Sequence, residues 1–147
     1  MLFRSGRSKL LGEVDYPHAI TLRTSIIGHA VGRKHGLVDW FLAQAGPVKG
    51  FRRAIFSGLP TVELARVMLE FVVPDTTLHG LYHVSAAPVS KLDLLHGVAR
   101  AYGKSIDIEP DDALVIDRSL DSTRFRLATG YQPPEWPELV HRMHEFA

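Results

Sequence analysis

Three kinds of side chain in this 147-residue sequence have the types and spacing for chemistry: clustered cations, strand-end hydroxyls and histidines. Arg118 carries a planar guanidinium fork that matches a diphosphate through two parallel hydrogen bonds. Arg52 and Arg53 form a second basic cluster on a strand-like stretch. On a strand only one of the two can face a given side. Surface ion pairs are the plainer role for both, and Arg53 is kept as a substrate-binding candidate. Thr24 and Ser25 close a strand-like run at the end where open α/β sheets bind ligands. They are also ordinary strand formers. Gly28, Gly32 and Gly36 follow that run, but match neither G-x-G-x-x-G nor a P-loop ending. A flexible substrate-side loop is expected there. Asp121 reads as a helix cap that could also touch substrate.

The 8 histidines raise the question of a metal. His79 and His83 share one face of a strand-like stretch, and His141 and His144 are close on a helix. No third ligand joins either pair at a recognisable spacing, so no metal site is expected. With 0 cysteines the chain has no disulfide, thiolate ligand or Cys nucleophile, which fits a reducing cytoplasm. With 46% apolar and 22% charged residues the balance is that of a globular protein. The formal net charge of +1 gives no bulk attraction for nucleic acid or an acidic membrane, and neither is an expected partner. No apolar run reaches the roughly 20 residues of a membrane span.

The elements that must position these residues alternate between strand and helix. Residues 8–14 have a short helical pattern. Residues 18–25 (HAITLRTS) read as a buried strand, residues 37–45 as a helix stopped at Gly46, and residues 49–56 as a strand. Thr61 is expected to cap an amphipathic helix with Val62, Ala65, Met68 and Val72 on or near its inner face, widened by Leu64, Val67 and Phe71. Residues 80–84 (GLYHV) form a strand. Ser90-x-x-Asp93 resembles a capping box opening a helix over residues 91–102. Residues 105–109 alternate as an edge strand. Asp121 opens a short helix ending at Gly130, and a last helix begins near Pro137 with Leu139, Val140, Met143 and Phe146 inward. Trp40, Phe41 and Phe71 are expected in the core. The class is α/β with a small, mostly parallel sheet and flanking helices.

Four segments in order resemble the extended short-chain dehydrogenases, and most closely the dTDP-4-dehydrorhamnose reductase-like branch. Gly6-Arg-Ser-Lys9-Leu-Leu-Gly-Glu13 is similar to that family's helix carrying Tyr-x-x-x-Lys. Leu22-Arg-Thr-Ser-Ile-Ile-Gly28 resembles the strand and loop beside the nicotinamide. Phe56-Ser-Gly-Leu-Pro-Thr61-Val-Glu-Leu-Ala65 resembles the turn leading into a substrate-domain helix. Gly80-Leu-Tyr-His-Val84, Ser90-Lys91 and Asp117-Arg118-Ser-Leu-Asp121 resemble the final segment, where an Arg lies near the sugar nucleotide.

The resemblance implies the C-terminal part of an NAD(P)-dependent sugar-nucleotide reductase of Rossmann type, with the N-terminal dinucleotide-binding half absent. Residues 1–30 would end the dinucleotide-binding part and residues 31–147 would be mainly the substrate-binding part. Lys9 would bond the nicotinamide ribose and lower the pKa of a tyrosine four residues earlier, on the same helix face. Ser5 stands at that position. Its hydroxyl is shorter and a far weaker acid than a phenol, so the chain alone is expected to be inactive. Lys9 in an isolated chain is otherwise a solvated helix lysine. Thr24, Ser25 and Ile26 would approach the carboxamide of NAD(P), and Arg53, Arg118 and Asp121 the sugar nucleotide. The missing half or a second copy of the chain would be the protein partner. Two alternatives stay open: a non-catalytic sugar-nucleotide-binding or oligomerisation module, and part of an epimerase or dehydratase.

Overall fold

The computed structural model describes residues 4–14, 16–30, 32 and 36–147, with residues 4 and 5 described by backbone alone. Helix α1 (Arg4–Leu11) leads to strands β1 (Ile20–Arg23) and β2 (Ile26–Ile27), then helix α2 (Leu37–Leu42). Strands β3 (Val48–Phe51), β4 (Ala54–Phe56) and β5 (Leu59–Pro60) follow, then helix α3 (Thr61–Val67), continued by a π-helical segment at Met68–Val72. Next come β6 (Gly80–His83), β7 (Val89–Ser90), α4 (Lys91–Ala101), β8 (Ile108–Asp111), β9 (Ile116–Asp117), α5 (Thr123–Thr129) and α6 (Trp136–Glu145).

The pairing is mostly parallel, as expected. β1 pairs with β6, β2 with β5, β3 with β8 and β4 with β9, all parallel, while β4 and β7 are antiparallel. Parallel neighbours need crossover connections, and the intervening helices supply them. Two apolar clusters result. One joins Val38 and Phe41 of α2 to Leu94, Leu95 and Val98 of α4 and to Val140 and Met143 of α6. The other gathers Leu59, Val67, Tyr82, Phe125, Tyr131 and Leu139. α6 contributes to both, and Trp136 packs against both, its indole N–H donating to the Ala87 carbonyl at 2.7 Å.

Several local expectations change. The strand expected over residues 49–56 is two strands, with Arg52 and Arg53 in the turn between them. The break lets the chain leave β8 and join β9, so the alternation expected of the two arginines does not apply. The edge strand expected over residues 105–109 is shifted to Ile108–Asp111, because its register with β3 begins at Val48↔Ile108. Thr61 is the first residue of α3, and Pro60 is the cap. The buried face of α3 is set by Glu63 and Val67, while Met68 is 45% exposed. Trp40 and Phe146 are exposed, and Phe41 is fully buried. The Ser90 cap stands: its hydroxyl accepts the Asp93 amide at 3.0 Å and donates to the Asp93 carboxylate at 2.6 Å. α5 ends at Gly130, in the left-handed conformation (φ 74°) that favours glycine.

Candidate functional site

The wall of one cavity is built from the ends of short strands. Arg23, last in β1, forms a two-bond ion pair with Glu13 at 2.6 and 2.7 Å. Hydrogen bonding from Arg23 holds the Glu13 carboxyl below its ordinary range. This contact fastens the segment after α1 to the sheet. Ser25 is fixed next: its carbonyl accepts the Leu59 amide at 2.8 Å and the Thr24 hydroxyl at 3.1 Å. That close approach needs a glycine. A Cβ on Gly58 would lie 2.2 Å from the Ser25 carbonyl oxygen.

These contacts leave a cavity of about 660 Å³. Lys9, Thr24, Ser25, Ile26 and Arg118, distant in sequence, all line it, together with Lys91 at the start of α4. Apolar wall comes from Ile27, Leu37, Phe56, Leu94, Leu114 and Ile116. Among the described residues the lining includes three cations and no carboxylate. Arg118 follows β9 and donates its backbone N–H to the Ile55 carbonyl at 3.1 Å. The side chain of Ser5 lies outside the described residues.

Two candidates lie elsewhere. Arg53 is exposed on the β3–β4 turn, where its carbonyl accepts the Ile116 amide at 3.0 Å. Asp121 lines a second cavity of about 530 Å³ with Ser85, Arg126 and Gln132. Its carboxylate accepts the Thr123 amide at 2.8 Å in the turn before α5, whose cap position is Ser122 and not Asp121 as expected. The Thr123 hydrogen bonds hold its carboxyl below the ordinary range.

Three features escaped the sequence reading. The first is Lys91, noted only as part of a capping run. The second is a relay beside the cavity. His29 Nδ1 lies 2.8 Å from the Asp39 carboxylate, and Nε2 lies 2.8 Å from the Tyr102 hydroxyl. In the tautomer whose Nδ1–H faces the carboxylate, Nε2 accepts from the Tyr102 hydroxyl. Asp39 also accepts the Ala30 amide at 2.9 Å, which pins the loop holding His29. Burial, and then the Asp39 charge, push the Tyr102 phenol up. A histidine among glycines, ten residues before an aspartate, carries no pattern that would reveal this pairing.

The third is Glu63, 1% exposed, which accepts from Arg66 at 2.7 and 3.1 Å, from Tyr131 at 2.9 Å and from Arg142 at 2.9 Å. Burial opposes its ionisation, but these hydrogen bonds and the Arg66 charge win and hold the carboxyl below its ordinary range. Burial, followed by the Glu63 charge, pushes the Tyr131 phenol up. No carboxylate-to-arginine spacing marks the Arg142 contact, which spans most of the domain.

The fold is mixed α/β, with mostly parallel strand pairs and flanking helices, that of part of a Rossmann-like chain. No family model and no curated protein matches the sequence. Solved structures do match. The dTDP-4-dehydrorhamnose reductase of Bacillus anthracis, in complex with NADP, is similar with a TM-score of 0.72 and 18% identity over 86% of this chain and 48% of that one. The UDP-N-acetylglucosamine 4-epimerase of Bacillus cereus gives 0.62 and 13% over 86% and 45%. The Bordetella bronchiseptica enzyme WbmH, in complex with NAD+, gives 0.62 and 23% over 94% and 48%. At these identities the likeness is one of fold. The chain spans about half the length of the solved chains it matches. Among the described residues no helix is long and apolar enough to cross a membrane.

Proposed function

We propose that this chain is the substrate-side part of an NAD(P)-dependent sugar-nucleotide oxidoreductase, dTDP-4-dehydrorhamnose reductase-like, working in the cytoplasm. Residues 1–30 close the dinucleotide-binding part and residues 31–147 carry mainly the substrate-binding part. The supporting observation is convergence: Lys9, Thr24, Ser25, Ile26 and Arg118 meet on one cavity whose lining, among the described residues, has no carboxylate.

The lining residues suit one end of a dinucleotide. Lys9 offers an ammonium to ribose hydroxyls, and the stretch Thr24 to Ile26 offers hydroxyl and backbone groups to a carboxamide. The Ser25 carbonyl is already committed to Leu59, so recognition there falls to the remaining groups. Glycine-rich backbone for the pyrophosphate must come from a partner domain. Bound NAD(P)H supplies the hydride. Arg118 holds the sugar nucleotide by charge-assisted hydrogen bonds, and the apolar wall excludes water.

Ser5 supports a second reading. Without a phenol beside Lys9, the chain serves as a non-catalytic sugar-nucleotide-binding module. Calorimetry with dTDP-glucose, UDP-glucose and NADPH separates the outcomes. The oxidoreductase reading expects a sugar nucleotide to bind and NADPH turnover to appear only with a dinucleotide-holding partner. Sugar-nucleotide binding with no turnover in any pairing supports the module. Binding of neither ligand class overturns both.

A further inference from the structure

We infer that His29 and Asp39 form a proton-linked pair at the cavity wall, which makes the affinity of the cavity for an anionic sugar nucleotide rise as pH falls. The inference rests on the substrate reading above. His29 lines the cavity beside Gly28 and Ala30, and so do Gly36 and Leu37, where the chain enters α2. Asp39 of α2 fastens these two stretches to each other. One of its carboxylate oxygens lies 2.8 Å from His29 Nδ1, and the other accepts the Ala30 amide at 2.9 Å. Asp39 is 9% exposed and is not among the lining residues. It is a positioning residue that reaches the cavity through His29.

The site accepts either charge state of the imidazole. The neutral ring with its proton on Nδ1 donates to Asp39 and accepts from the Tyr102 hydroxyl, 2.8 Å from Nε2. The imidazolium donates from both nitrogens, to Asp39 and to the same hydroxyl oxygen. Tyr102, directly after α4, in turn makes an edge contact with His144 of α6, ring centroids 4.4 Å apart. On the cavity side the charged groups are Lys9, Lys91 and Arg118. With both ring nitrogens engaged, His29 acts on a ligand through its charge and not as a proton donor. While the ring is neutral, Asp39 places a negative charge behind a wall otherwise lined by cations. Protonation of His29 offsets that charge, and a partly buried pair is screened little by salt.

Calorimetry of UDP-glucose on the whole chain between about pH 5 and 8, the range in which histidine changes charge, tests this. The diphosphate of UDP-glucose keeps its charge across that range. Parent affinity should rise about three- to tenfold from the upper to the lower end, the scale of one net charge near a partly solvated anion. The binding heat should vary with the buffer in the sense of proton uptake. His29→Gln should remove most of the rise, whereas His96→Gln, on α4 outside the cavity, should keep it. In Asp39→Asn the side-chain carbonyl can still accept the Ala30 amide, and the side-chain amide can donate to Nδ1 of the other tautomer, so the wall keeps its shape. That variant should bind at the upper end about as tightly as the parent does at the lower end. A purely structural role for Asp39 predicts weaker binding instead, and that result overturns the inference. A pH dependence that survives His29→Gln, or vanishes in His96→Gln, also overturns it and leaves the substrate reading standing. If UDP-glucose binds the parent chain at no pH, the inference and the substrate reading fall together.

Discussion

Glu63 shows how a single residue can tie distant elements together. Its carboxylate is buried on α3, yet it receives Arg66 from its own helix, Tyr131 from the segment after α5 and Arg142 from α6. Arg66 and Arg142 continue outward to Glu70 and Glu138. Removing the charge strands two arginines facing a buried acceptor. Glu63→Gln is expected to cost about 3 kcal/mol, the scale for breaking a buried ion pair, read by urea denaturation at pH 7. The pH dependence has a definite sign. The folded pKa lies below the unfolded value near 4.5, so the unfolded state takes up the proton first as pH falls. The contribution is whole above that unfolded value and is lost as pH drops through the folded one. The stability gap between parent and Glu63→Gln should therefore shrink on acidification below about pH 4.5. A gap that stays constant down to pH 3 would refute the role given to this carboxylate.

Among the elements, β2 and β5 are the shortest pair, and both residues of β2 line the cavity. They are two residues each, held in register Ile26↔Leu59 and Ile27↔Pro60. Such a pair survives only if the chains approach closely, and Gly58 permits this. Gly58→Ala brings its methyl against the Ser25 carbonyl and the Phe56 ring. Overpacking of this kind costs about 1–3 kcal/mol, and relief requires β5 to move off Ser25. Amide exchange at Leu59 should accelerate in the variant, and ligand affinity should fall with it. Unaltered exchange at Leu59 would show that the strand ends do not shape the wall.

The sequence revealed the elements better than their joints. The Ser90 cap, the Gly130 stop and the helices near residues 91 and 137 follow local rules, and local rules are readable from neighbouring residues. The β3–β4 break at Arg52 and Arg53 depends on which strand lies alongside, which no local pattern records. The inner face of α3 was misread because a glutamate counted as polar, whereas its arginines make it a core residue. Within the cavity, Lys9, Thr24, Ser25, Ile26 and Arg118 were named from an ordered resemblance. Lys91 and the His29–Asp39–Tyr102 relay were missed, because both depend on contacts between residues far apart in sequence.

For the molecule as a whole, the surface at the start of the chain sets the strongest constraint. Leu10 is 55% exposed, Leu11 87% and Tyr16 59%, all within or just after α1. Lys9 of the same helix lines the cavity. Large exposed apolar side chains on and after a helix that lines a cavity are the reason to propose that another domain or another copy covers this surface. With a formal net charge of +1, mutual repulsion does little to prevent association. Sedimentation of the purified chain should show concentration-dependent association. Leu10→Lys with Leu11→Lys should abolish it while leaving the melting midpoint within about 2 °C, since exposed positions contribute little to the core. A strictly monomeric parent chain at millimolar concentration, with no dye binding to exposed apolar surface, would remove the reason to place a partner against α1. The case for a dinucleotide-holding neighbour would then rest on the cavity alone.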